Sequence, residues 1–330
     1  MRTVPNALKF AVSGLTSALL GKSVLSCLWE LTYRCTAKCA ICSYWKNPSR
    51  RQEEMCSADI RTGLDKVYAQ GCRAVNFTGG EPTMRPDLED IVNHASRLGM
   101  WTSMVTNGSL LTRERMRALK DAGLDNLLLS LDSINPARHD AQRGIDGSHS
   151  KVVKCSQWLG EDFLTGHRTG GVMSVLSRSN RAELEEIVEF ADRLRIYVVF
   201  QPYHAKKTGN ETFNVNIDDQ LVTRLLHLQR TRGNLLCSSE YLRGIGEFGK
   251  NGGRRRCYAG RRYFSIDPFG YFHPCVDQPS AGHLLRDDIT AVKSSETLRA
   301  VESCDGCWYS FRGESDTTLS LRGCLAKLNL

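Results

Sequence analysis

The sequence predicts an α/β protein: a partial (β/α)6 TIM-like barrel followed by a small cysteine-rich α+β domain. Two observations lead there. Between residues 24 and 235, six runs of β-forming residues alternate with helical patterns, and such alternation puts parallel strands inside and helices outside. After about Leu236 the rhythm breaks, and glycine, arginine and cysteine become frequent. An open doubly wound sheet would give much the same string, but both architectures place chemistry at the carboxyl ends of the strands.

Taken in order, residues 1–23 read as an amphipathic helix packed on the barrel, because Leu8, Ala11, Val12, Leu15 and Leu19 recur at helical spacing. Arg2 and Lys9 beside the apolar stretch could also open a secretory signal, and the same helix could touch a membrane surface or a lipid-like substrate. The helix reading outranks both. Strands are expected at Leu25 to Thr32, Ala74 to Phe77, Trp101 to Val105, Asn126 to Leu131, Gly171 to Leu176 and Ile196 to Gln201. Helical patterns lie between them at Ser57 to Ala69, Asp87 to Leu98, Arg113 to Ala122 and Ala182 to Leu194. Capping residues such as Ser57 open them, and glycines such as Gly71, Gly99 and Gly123 close them. In the last third, residues 236–330, Tyr263 to Ile266 and Tyr271 to Pro274 flank Asp267-Pro268-Phe269-Gly270, the signature of a hairpin turn.

Composition narrows the function. With 330 residues and 41% hydrophobic content the chain can fill a large core, and no stretch reaches the run of about 18 apolar residues that a membrane span needs. Thirteen cysteines, an odd number, argue against a fully paired disulfide framework, and seven of them have metal-ligand spacing. That places the protein in the reducing cytoplasm. The net charge of +8 does not by itself indicate nucleic acid, and no basic face interleaved with aromatics is found. The dense basic run Arg254 to Arg256, with Arg261 and Arg262, reads as a solvated loop or as a site for an anionic substrate group.

Cys35, Cys39 and Cys42 follow the first strand with the spacing C-x3-C-x2-C. Thiolates are the ligands of iron-sulfur clusters, and three of them leave one iron of a four-iron cluster open to bind another molecule. A zinc site would need a fourth ligand, and Glu53, Glu54 and Cys56 stand at no customary zinc spacing. No nucleophile elbow and no phosphate-binding loop is present.

This arrangement strongly resembles the radical S-adenosylmethionine (SAM) superfamily over residues 24 to 235, because further motifs follow in the expected order. Thr78, Gly79, Gly80, Glu81 and Pro82 match the family's Gly-Gly-Glu-Pro segment, and the resemblance implies that they meet the methionine amino group. Ser130, Leu131, Asp132 and Ser133, then Arg143 and Gly144, match the branch that includes the molybdopterin-precursor cyclase. Ser130 would then contact the ribose or the carboxylate, and Arg143 would pair with the methionine carboxylate, unless it forms only a surface ion pair. Tyr44 occupies the family's aromatic position near the adenine, or simply packs on the cluster loop. Asn107 and Gln201 point to the same site from the ends of strands three and six.

Cys257, Cys275, Cys304 and Cys307 form a second group, in which Gly270 and Cys275 give G-x4-C and the last two give C-x2-C. Four thiolates make a closed site for zinc or a cluster. The pattern resembles the twitch domain, the half-length form of the SPASM extension, which implies one auxiliary 4Fe-4S cluster. Only Cys324 remains beyond Cys307, so a second auxiliary cluster is not expected. Cys27, Cys56, Cys72, Cys155 and Cys237 read as small buried hydrophobes.

The expected activity is reductive cleavage of SAM to a 5'-deoxyadenosyl radical that takes hydrogen from a small biosynthetic metabolite, an anionic one if the basic run binds it, with net oxidation. Alternatives are a peptide- or protein-modifying maturase and radical chemistry on a lipid or isoprenoid. An electron donor such as flavodoxin or ferredoxin is implied. The peptide alternative ranks second because only about two dozen residues precede the first strand, too few for an added recognition domain.

Overall fold

The computed structural model describes residues 25–46, 53–251, 257–304 and 306–318. The helix expected over residues 1–23, the run Arg254 to Arg256 and Cys324 lie outside the described residues.

All six expected barrel strands are present: β1 (Leu25–Thr32), β2 (Cys72–Gly79), β3 (Trp101–Thr106), β4 (Asn126–Ser130), β5 (Thr169–Leu176) and β6 (Tyr197–Pro202). They pair in parallel with their neighbours in chain order. Crossovers of the length that parallel pairing requires carry the helices. These are α1 (Ser57–Ala69), α2 (Leu88–Leu98), α3 (Arg113–Asp121), α4 (Pro136–Arg143), α5 (Ser148–Trp158) and α6 (Leu184–Arg193). Two further helices, α7 (Asp219–Arg232) and α8 (Ser239–Asn251), follow β6.

Side-chain alternation decides what each face of the sheet does. Trp29, Phe77, Met104 and Leu127 are fully buried toward the helices, each worth about 1.5–3 kcal/mol against exposure. The opposite face is concave and polar. There Leu28 stands in register with Asn76 on one side and Ser265 on the other, and the row continues through Ser103 and Asn126. Asn126 donates to Ser103 at 2.9 Å, and Thr169 donates to Asn126 at 2.9 Å.

Helix ends follow local rules with one shift. Gly99 closes α2 at φ 86°, where glycine alone avoids strain. Ser57 is the first residue inside α1 rather than its cap; Cys56 holds the cap position, and the Ser57 hydroxyl donates to Asp87 instead.

The hairpin forms as the turn sequence requires. Strands β7 (Tyr263–Ile266) and β8 (Tyr271–His273) pair antiparallel, and Asp267 Oδ1 accepts from the Phe269 and Tyr271 amides, both at 2.9 Å. A short β9 (Gly282–His283) completes the sheet, followed by α9 (Ser295–Glu302) and α10 (Ser310–Thr318). Strand β7 does not stand apart: it pairs in parallel with β1, Ser26 opposite Tyr263 through Trp29 opposite Ile266. One nine-stranded sheet therefore runs β6-β5-β4-β3-β2-β1-β7-β8-β9. The hairpin and the cysteines that flank it, Cys257 before β7 and Cys275 after β8, are thereby brought beside the β1 edge of the barrel sheet.

Candidate active site

Cys35, Cys39 and Cys42 leave the end of β1 in a loop that other elements grip. Gly80 donates to Thr32 O at 2.6 Å and Glu81 to Arg34 O at 2.9 Å, so the strip after β2 lies directly along the backbone that enters the loop. The contact explains both glycines. A Cβ on Gly79 would stand 2.3 Å from Thr32 O, and one on Gly80 2.2 Å from Arg34 O, where no side chain fits. From the other side, Ala40 donates to Gln142 O at 2.9 Å, and the Trp45 indole donates to Cys39 O at 3.1 Å.

The three thiols open into a cavity of about 200 Å³ at the carboxyl ends of the strands. None of the described cysteines is in a disulfide. Burial pushes the Cys35 thiol up to about 12, and it raises Cys39 as well against the opposing pull of Arg143. Bare thiols so buried stay protonated, and metal binding is what would draw off the proton. Among the described residues no set of three histidine, cysteine or carboxylate side chains is spaced to grip a single ion.

Of the expected SAM-binding residues, Tyr44, Gly79, Gly80, Asn107, Ser130, Arg143 and Gln201 line this cavity. Glu81 and Pro82 do not. Glu81 is fully buried behind it, with Oε1 accepting from Thr106 at 2.6 Å and from Thr83, and Oε2 accepting from the Asn107 amide at 2.7 Å. Its carboxylate thus ties β2 to β3. Asn107 in turn donates to Thr36 at 3.1 Å and reaches Cys35 Sγ at 3.7 Å. It orients the cysteine loop as well as lining the cavity. Tyr44 stacks on Tyr33 with ring centroids 5.5 Å apart and donates to the buried Glu30 carboxylate.

Arg143 is buried, not a surface residue, and it pairs with Asp132 at 2.7 Å while Nη1 lies 4.0 Å from Cys39 Sγ. Removing one member of a buried pair costs about 3–5 kcal/mol because the other charge is left uncompensated. Arg143→Ala is therefore expected to lose unfolding free energy of that order in denaturant titration, with Arg143→Lys recovering part of it. Equal stability of all three proteins would show that the pair does not hold the site together.

A second cavity, of about 170 Å³, adjoins the first. Tyr44, Thr78, Val105, Gln201 and Tyr309 line both. At its far side stand Cys275 and Cys307, and Asn76 and Ser265 face it from the polar row of the sheet. The Asn76 Oδ1 and Ser265 Oγ atoms are buried without a hydrogen-bond partner, a state that costs free energy until another molecule satisfies them. Gln201, at the end of β6, accepts from the Ser310 amide at 3.1 Å and hydroxyl at 2.8 Å, which ties the barrel to α10.

Of the second cysteine group, Cys257 and Cys307 each lie close enough to Cys275 to act on it electrostatically, and burial raises Cys275 to about 12. Cys304 follows α9, where its sulfur accepts from the Gly306 amide at 3.4 Å. Arg261 pairs with Glu302 at 3.1 Å on the surface, and the Arg262 guanidinium covers the Tyr258 ring at 3.7 Å. These contacts concern Arg261 and Arg262 alone, since Arg254 to Arg256 lie outside the described residues. Cys27, Cys72, Cys155 and Cys237 are buried as expected, whereas Cys56 is exposed at its helix cap. Sequence reasoning passed over Asp132, Tyr309 and Ser310: the first was quoted only as part of a motif, and the others follow Cys307 with no pattern of their own.

Comparison with known proteins gives a family and a fold. Residues 29–191 match the model of the Radical SAM superfamily. A PqqA peptide cyclase of Rhodopseudomonas palustris is 31% identical over 298 residues, covering 88% of this chain and 76% of that protein. Another, from Bradyrhizobium diazoefficiens, is 29% identical over 298 residues, covering 88% and 75%. Among solved structures, Streptococcus suis SuiB bound to precursor peptide SuiA superposes with a TM-score of 0.70 at 17% identity, over 90% of this chain and 70% of that one. Native anSMEcpe with bound AdoMet superposes at 0.65 and 16% identity, over 92% and 98%. These likenesses agree with the partial barrel. No helix among the described residues is long and apolar enough to cross a membrane.

Proposed function

The chain belongs to the radical SAM superfamily, and from that premise we propose that it is a peptide-modifying enzyme working in the space between its two cysteine groups. The family implies a 4Fe-4S cluster and SAM, and the proposed holders of the cluster are Cys35, Cys39 and Cys42. When bound, that pair supplies a 5'-deoxyadenosyl radical that takes a hydrogen atom from substrate. Arg143, Ser130, Gly79, Gly80, Tyr44, Asn107 and Gln201 are assigned to SAM as the residues on the same cavity, with Glu81 and Pro82 supporting them from behind.

The observation that carries the reading is the shared wall of the two cavities. A substrate lying along it touches the first cysteine group at one end and Cys275 and Cys307 at the other. Its polar floor, Asn76, Thr78 and Ser265, offers hydrogen bonds of the kind that peptide amides satisfy. The expectation of a small metabolite gives way here, because the relatives that cover most of this chain are named for action on a peptide. The short segment before β1 counted against a peptide only if recognition needs a domain of its own. Cys257, Cys275, Cys304 and Cys307 are assigned to an auxiliary 4Fe-4S cluster, and the reaction to a net oxidation.

The test is anaerobic reconstitution with iron and sulfide, then reduction in the presence of SAM with panels of short peptides and of small metabolites. Formation of 5'-deoxyadenosine, with a peptide product lighter by two hydrogens, is the expected result. Oxidation of a metabolite with every peptide unchanged would restore the small-molecule reading.

A further inference from the structure

We infer that Arg312 sets the reduction potential of the second cluster, holding it high enough to take up an electron. This rests on the reading that Cys257, Cys275, Cys304 and Cys307 carry that cluster. Arg312 is 3% exposed, lies on α10 and lines the second cavity. Its Nη1 donates to the Cys307 carbonyl and reaches Cys307 Sγ at 3.5 Å. Cys257 lies within electrostatic reach of the same guanidinium. One buried cation therefore faces two of the four thiolates and bonds one of them.

The geometry is fixed from behind. The Arg312 guanidinium stands 5.4 Å from the centre of the Trp308 ring. Trp308 donates to Tyr241 O at 2.9 Å and stacks on the Tyr241 ring at 5.7 Å. Glycines make the room: a Cβ on Gly244 would stand 2.3 Å from Trp308, and one on Gly313 2.2 Å from Tyr241. Arginine keeps its charge at every working pH. Adding an electron to a thiolate-ligated cluster adds negative charge, so a fixed buried cation stabilises the reduced form more than the oxidised one. Charge and hydrogen bonds at ligand sulfur are established levers on cluster potential. The first group differs, since Arg143 shares its charge with Asp132.

The experiment is a redox titration of the anaerobically reconstituted full chain, followed by electron paramagnetic resonance, with SAM added to mark the first cluster by its altered signal. In Arg312→Gln the reduced-to-oxidised ratio of the second cluster at a fixed potential should fall about tenfold, which is about 59 mV for one electron, while the first cluster stays put. Arg312→Lys keeps the charge but loses the fork, so it should fall by part of that amount. A second-cluster midpoint equal to wild type in Arg312→Gln overturns the inference, and if that variant loses the cluster, Arg312→Met, which also lacks the charge, carries the same test. Iron content separates this failure from that of the underlying reading. About eight irons per chain with unmoved potentials overturns the role of Arg312 alone, whereas about four irons in the wild type overturns the second cluster and this inference together.

Discussion

Replacing Cys35, Cys39 and Cys42 together by alanine is expected to abolish SAM cleavage and to remove one cluster's worth of iron, leaving the iron of the second group in place. The three thiols are the ones that open into the cavity shared with Arg143 and Ser130, and no other cysteine among the described residues lines it. Serial chemistry cannot compensate, because the open coordination position exists only where a cluster is held by three ligands. Gly80→Ala should reach much of the same loss without touching a ligand. Its new Cβ would stand 2.2 Å from Arg34 O, one residue before Cys35. The obstacle is backbone, so the cysteine loop itself has to move. Iron and sulfide analysis with quantified 5'-deoxyadenosine measures both variants. Unchanged cleavage in the triple variant would sink the central assignment, and normal iron in Gly80→Ala would show that the loop tolerates displacement.

Much of this was legible in the sequence because the barrel repeats one rule. Each strand alternates between a helix-facing and a concave side, and each crossover ends in a turn, so the order of elements follows from periodicity. The first cysteine group is equally local as a pattern: three thiols within eight residues need no tertiary information to be noticed. Other features depend on distant partners. Helix α8 contains Gly244, Gly246 and Gly249, which belong to the stretch where frequent glycine breaks the rhythm of elements. Their reason is close packing, since a Cβ would stand 2.3 Å from Trp308 at Gly244, 2.9 Å from Val222 at Gly246 and 2.4 Å from Ile217 at Gly249. The union of β7 with β1 was hidden for the same cause, because a parallel pairing between residues more than 200 apart leaves no local trace. Glu81 shows the limit of motif reasoning. Its place in Gly-Gly-Glu-Pro pointed to the cofactor, while its four internal hydrogen bonds come from Thr83, Thr106 and Asn107, none of which the motif contains.

Changing Cys304 and Cys307 together to alanine is expected to separate SAM cleavage from product formation. On the proposed reading, a peptide product lighter by two hydrogens has lost two bonds to hydrogen. One hydrogen leaves as an atom to the 5'-deoxyadenosyl radical, and the other leaves as a proton and an electron. The proton can pass to a base or water, but the electron needs an acceptor, and on the proposed reading that acceptor is held by Cys257, Cys275, Cys304 and Cys307. Four thiolates leave no iron open for substrate, yet a closed cluster can still exchange electrons. The position agrees, because Cys275 and Cys307 line the cavity whose other walls reach Tyr44 and Gln201. The first group shares no ligand with the second, so its cleavage chemistry should survive the double change. A folded double variant that keeps its first cluster should therefore still make 5'-deoxyadenosine but yield no peptide lighter by two hydrogens. Normal conversion by that variant, or a native product isomeric with its substrate, would end the electron-acceptor role and leave the second group a structural one.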